Sequence, residues 1–123
     1  MVTQVAKGSG YVTAFKAVAA LSTLSVLVQA VTAGQLMSGG TATLHGTGAF
    51  AVHVLGLVQL VLAVLMWRPG RGAGWPALVS TAALLLGFVQ SALGGSGVVA
   101  VHVPLGMTLF GLSVWLLVWA WRR

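Results

Sequence analysis

The sequence predicts an all-helical integral membrane protein, a bundle of four transmembrane helices, and three observations carry that prediction. Hydrophobic residues make up 59% of the 123 positions and the mean hydropathy is +1.04, which leaves too little polar surface to cover a water-soluble globule of this size. Six cations (Lys7, Lys16, Arg68, Arg71, Arg122, Arg123) face no Asp or Glu, and they cut the chain into two uncharged runs, from Ala17 to Trp67 and from Gly72 to Trp121. A crossing needs ~20 residues, so each run holds two crossings and a turn. Glycine-rich breaks supply those turns at Ser38-Gly39-Gly40-Thr41 and Gly94-Gly95-Ser96-Gly97, and Arg68-Pro69-Gly70-Arg71-Gly72 separates the runs.

These marks place one domain over residues 1–123, with helices near 11–37, 44–67, 75–93 and 98–121. Lys7 and Lys16 precede the first apolar stretch as in a signal peptide, but the stretch is longer than a typical signal core. An uncleaved signal-anchor helix is therefore expected. The second helix is bounded by the Thr41 turn and by Arg68-Pro69, and the third opens at Trp75-Pro76. In the fourth, Pro104 lacks an N–H and releases the carbonyl of Ala100, in the turn that carries His102. Every Lys and Arg lies at the end shared by the N-terminus, the middle loop and the C-terminus. The positive-inside rule then predicts a multi-pass protein of the plasma (inner) membrane with both termini cytoplasmic and the two glycine-rich loops outside. Trp67, Trp75, Trp119 and Trp121 stand beside the cations, where indole rings favour the headgroup layer.

The same inventory excludes several functions. Without Asp or Glu there is no carboxylate acid, carboxylate nucleophile, calcium cage or acidic proton relay. Without cysteine there is no disulfide, iron–sulfur cluster, thiolate zinc site or covalently attached haem. The cations are dispersed in the positive-inside pattern and not clustered as a nucleic-acid surface requires, so no nucleic-acid partner is expected.

The two halves resemble each other. Val28-Gln29-Ala30 with Gly34 recurs as Val89-Gln90-Ser91 with Gly94, and Ala51-Val52-His53-Val54-Leu55-Gly56 recurs as Ala100-Val101-His102-Val103-Pro104-Leu105-Gly106. This is the pattern of a parallel internal repeat, two helical hairpins related by an axis along the membrane normal.

An imidazole inside an apolar span is by default a functional candidate. Two of them on the even-numbered helices suit the clamping of one b-type haem from opposite faces of a four-helix bundle, with His53 and His102 as axial ligands. Ala49 and Gly56 near His53, and Gly106 one turn after His102, leave room for a flat porphyrin, though small residues equally serve close helix packing. His45 is the alternative partner of His102. It lies about 12 Å along the helix from His53, and the repeated phrase favours His53. His45 and Thr47 then become outer-end donors for the haem propionates, beside the positive N-terminal ends of the even helices. Gln29 and Gln90 are mid-membrane amides that hydrogen-bond across the bundle or orient an imidazole.

The four helices with histidines on the second and fourth, Gln and Gly near the outer end of the odd helices, and the run Leu86-Gly87-Phe88-Val89-Gln90-Ser91-Ala92-Leu93-Gly94-Gly95 resemble one half of a haem A synthase, a family built of two such halves. The resemblance implies a cofactor-holding half with His53 and His102 on a b-type haem. It does not carry the oxidising chemistry over: the position of the family's catalytic glutamate is Phe50, and the arginine that follows the family's histidine is Val54. The expected role is thus electron transfer, or service as a haem-bearing subunit in a larger membrane complex, with a redox partner or quinone and either a second copy or other membrane subunits alongside. Bis-histidine ligation leaves no open iron position, so an enzyme is not expected. Two other readings use the same residues: a cofactor-free accessory subunit packing on partner helices, and a carrier of small molecules or lipid with a pocket from Gln29, Gln90 and the histidines.

Overall fold

A computed structural model describes residues 2–123, with side chains from Gly10 onward; Met1 and the Lys7 side chain lie outside the described residues. The chain forms α1 (Val2–Met37), α2 (Ala42–Trp67), α3 (Trp75–Gly95) and α4 (Val99–Trp121), with no strand among the described residues. Each contains a stretch long and apolar enough to cross a membrane: Gly10–Met37, Ala42–Trp67, Trp75–Gly95 and Val99–Trp121. By length and composition this is a multi-pass membrane protein.

The helix limits follow local chemistry. α2 stops where Pro69 prevents continuation, and α3 starts with Pro76 in its first turn, where a missing N–H costs nothing. α3 passes through Gly94 and Gly95, two residues beyond the limit expected from the glycine-rich turn. Its end is set by Gly97, whose φ of +75° reverses the chain. The Val98 N–H then donates to the Leu93 carbonyl at 2.9 Å. The end of α1 uses the same device, with Gly39 at φ +94° and the Gly40 N–H donating to the Gln35 carbonyl at 2.9 Å. Both are glycine-terminated caps in which the left-handed residue lets a later N–H reach back to an orphan carbonyl.

The helices pack in a ring: α1 on α2, α2 on α3, α3 on α4, and α4 on α1, with no close backbone approach across either diagonal. The core is concentrated at one end. Phe15, Ala19, Ala63, Met66, Ala77, Leu116 and Ala120 form one buried cluster, with Tyr11, Leu62, Trp75 and Trp119 against it. These residues neighbour Lys16, Arg68, Arg71, Arg122 and Arg123 in the chain, so the described cations share that end. Trp67 and Trp121 are exposed there, but Trp75 and Trp119 turn inward. The Trp75 ring stacks on Trp115 and meets Trp119 edge-on, both at 4.9 Å between centroids. Large apolar side chains such as Leu24, Phe50, Leu57, Leu85 and Met107 cover the outside, as lipid contact requires.

At the other end the packing loosens. No residue in 23–58 or 88–108 is buried. All three histidines fall in these two segments.

Candidate functional site

His45 is the fourth residue of α2 and His102 the fourth residue of α4, so the two helices present equivalent positions across the diagonal of the ring. Their imidazole centroids are 6.0 Å apart, with ring planes at 68°. The fold therefore brings His102 to His45. The pairing of His102 with His53 that the repeated phrase suggested is not the one formed, because His53 lies two turns further along α2 and faces α3. Its ring packs on Phe88 at 4.4 Å between centroids, and its Nε2 lies 3.4 Å from Ser91 Oγ.

Hydrogen bonds fix the tautomers of the close pair. His102 Nδ1 is 2.7 Å from the carbonyl of Gln90. A carbonyl only accepts, so Nδ1 carries the proton and Nε2 keeps a free lone pair. His45 Nδ1 is 3.1 Å from Thr32 Oγ1. The single hydroxyl proton of Thr32 is directed at Gln29, whose carbonyl oxygen is 3.1 Å away and whose Oε1 is 3.3 Å away. Thr32 therefore accepts from His45 Nδ1–H, and Nε2 of His45 is free as well. Gln29 closes the ring by donating from Nε2 to the His45 carbonyl at 3.0 Å. Each imidazole is thus oriented by a group on the preceding odd helix, an arrangement shared by histidines that ligate a metal through the other nitrogen.

The glycines serve this arrangement. A Cβ on Gly94 would stand 2.6 Å from Cε1 of His102, so the ring occupies space that only glycine leaves. A Cβ on Gly106 would meet Gln90 Nε2 at 2.8 Å, and one on Gly48 would meet Gln29 Nε2 at 2.5 Å. In both halves a glutamine from the odd helix lies over a glycine of the even helix. Gly56, read from sequence as room for a flat ligand, is instead approached by Leu84, which would lie 3.3 Å from an added Cβ. Ala49 contributes its carbonyl, 2.5 Å from His53 Nδ1. Thr47 is exposed at the histidine end.

Sequence reasoning missed Thr32 and Gly48, and read Ser91 and Gly94 only as marks of the repeat and of the family resemblance. Thr32 had a signal: it follows Gln29 by one helical turn and so shares its face. The His45–His102 match had one too. Both histidines follow the last glycine of the preceding turn, Gly40 or Gly97, by five positions, whereas the His53 alignment requires a long insertion.

Among the described residues no group of three or more His, Cys, Asp or Glu side chains converges. The pair offers two nitrogen ligands. No known protein family, no curated protein and no solved structure matches the chain. The likeness to haem A synthases thus rests on the residues quoted for it.

Proposed function

We propose that the histidine end of the bundle binds one b-type haem through Nε2 of His45 and Nε2 of His102, and that the protein serves electron transfer, alone or as a haem-bearing subunit of a membrane complex. The observation that carries the reading is the 6.0 Å separation of two imidazoles whose Nδ1 atoms are already engaged. At the ~2.0–2.1 Å metal–nitrogen distance of a zinc-bound imidazole, two imidazoles sharing one metal ion would have ring centres roughly 6 Å apart. The two-ligand count suits a porphyrin, which supplies four nitrogens of its own and leaves two axial positions. A flat group between these helices also agrees with the absence of buried residues in 23–58 and 88–108 and with the lack of close backbone approach between α2 and α4.

When bound, such a haem would supply one-electron exchange. The residues around it hold and orient: Thr32 and the Gln90 carbonyl fix the imidazoles, and Gly94 admits the His102 ring. The N-terminal turns of α2 and α4, neither capped by a side chain, point positive dipole ends and N–H groups at the side where anionic propionates would emerge. With the cations at the opposite end, the positive-inside rule orients both termini to the cytoplasm and the histidine pair to the outer leaflet.

The reduced-minus-oxidised absorption spectrum of detergent-purified protein from haem-replete cells tests the reading. Sharp b-type bands are expected in the unaltered protein and in His53→Ala, and none in His45→Ala or His102→Ala. A featureless spectrum of the unaltered protein removes the haem. Bands that survive His45→Ala but vanish in His53→Ala would restore the pairing suggested by the repeated phrase.

A further inference from the structure

Below the histidine pair, a separate cavity of about 50 Å³ lies where all four helices meet. Its wall is mostly apolar, with Val26, Val52, Leu84 and Leu109 among its residues, but five polar side chains, Ser22, His53, Gln59, Ser80 and Ser113, also line it. Ser22 is 7% exposed, and its hydroxyl is buried with no hydrogen-bond partner. That is a specific departure. Thr23, Thr81, Thr108 and Ser113 each return their hydroxyl proton to the carbonyl four residues back, the usual resort of a helical hydroxyl in an apolar setting. Ser22 forgoes that bond and lines the cavity instead.

The neighbouring groups are also underused. Gln59 has two donor and two acceptor positions, of which the 3.4 Å contact to Ser80 Oγ takes one. His53 Nδ1 donates to the Ala49 carbonyl, so Nε2 is an acceptor, met only by Ser91 Oγ at 3.4 Å. Empty cavities in proteins are apolar, whereas polar ones hold water that satisfies two to four groups each.

We infer that this cavity is a hydration site holding about three to five water molecules, at ~10–15 Å³ of accessible volume each. The cluster satisfies Ser22 Oγ, fills the remaining positions of Gln59 and donates to His53 Nε2. It places water in the centre of the bundle, beside a titratable imidazole and independent of whether the outer end holds a haem.

Water-edited solid-state NMR of the full chain in deuterated lipid bilayers tests this directly. At short mixing times, magnetisation from water is expected at the Gln59 side-chain amide and the His53 ring, and is expected to fall in Ser22→Val, which fills the space. No transfer to Gln59 or His53 in the unaltered protein overturns the proposal. Thermal unfolding in detergent gives a second, sign-based measurement. If water bonds to Ser22, Ser22→Ala lowers Tm by about 3–5 °C, the shift corresponding to the loss of one hydrogen bond in a chain of this size. If the cavity is dry, removing an orphan hydroxyl leaves Tm unchanged or raises it, and the proposal fails.

Discussion

The two ends of the bundle are built on opposite principles. At the charged end, Phe15, Ala63, Met66, Leu116 and Ala120 are buried, the Trp75, Trp115 and Trp119 rings interlock, and Arg123 lies 4.8 Å over Trp119. At the histidine end no residue of 23–58 or 88–108 is buried, and polar groups add contacts between helices: Gln29 and Thr32 to His45, and the Gln90 carbonyl to His102. Lipid is as apolar as leucine, so association in a membrane depends on close packing and on hydrogen bonds in place of a hydrophobic drive. The charged end relies on the first, and the histidine end joins hydrogen bonds to the close approach that Gly48, Gly94 and Gly106 allow. The histidine end is thus held by polar side chains set against glycines, with no apolar core between them.

Truncation should expose the difference. Leu116→Ala, at a fully buried position, is expected to destabilise the protein by about 2–5 kcal/mol in a mixed-micelle unfolding titration, because the packed end has no slack to close a cavity. Gly94→Ala should show the opposite balance. The helix gains about 0.5–1 kcal/mol from alanine's propensity, while the added methyl displaces the His102 ring. Stability that is kept or raised, together with weakened or shifted haem bands, is the outcome that separates a site from a core.

Thr32→Val probes the hydrogen-bonded end more gently. It removes the Nδ1 acceptor of His45 at nearly constant volume, with an expected loss of about 0.6 kcal/mol, the mean for such bonds between membrane helices. Its spectroscopic effect should exceed its effect on stability, since a freed imidazole loses orientation. The smallest effect belongs to Phe50→Ala, at a residue 72% exposed, expected within about 0.5 kcal/mol of the unaltered protein. Should Phe50→Ala prove as damaging as Leu116→Ala, the contrast between the ends is wrong.

Two of the aromatic anchors show how partial a reading from position can be. Trp67 and Trp121 are exposed beside the cations, where the headgroup preference puts them, whereas Trp75 and Trp119 share that sequence context but pack inward. Neighbouring charge indicates depth in the membrane. It does not indicate which way round the helix a ring points.

The sequence by itself determined the four crossings, their turns and the clustering of cations at one end, because length, hydropathy and the lack of acidic residues are sums along the chain that lipid reads directly. It also singled out the histidines and the mid-membrane glutamines, since a polar group in an apolar run stands out without any fold. Only the tertiary structure decided which histidine meets His102. That choice depends on where each helix begins and how the ring of helices closes, and the cap at Gly39 puts His45, not His53, level with His102. The repeated phrase around His53 matched in letters but sat two turns too deep. The roles of Thr32 and Gly94 and the cavity beside Ser22 came from the fold for the same reason: each is a contact between helices, made by groups that are unremarkable until another helix is laid against them.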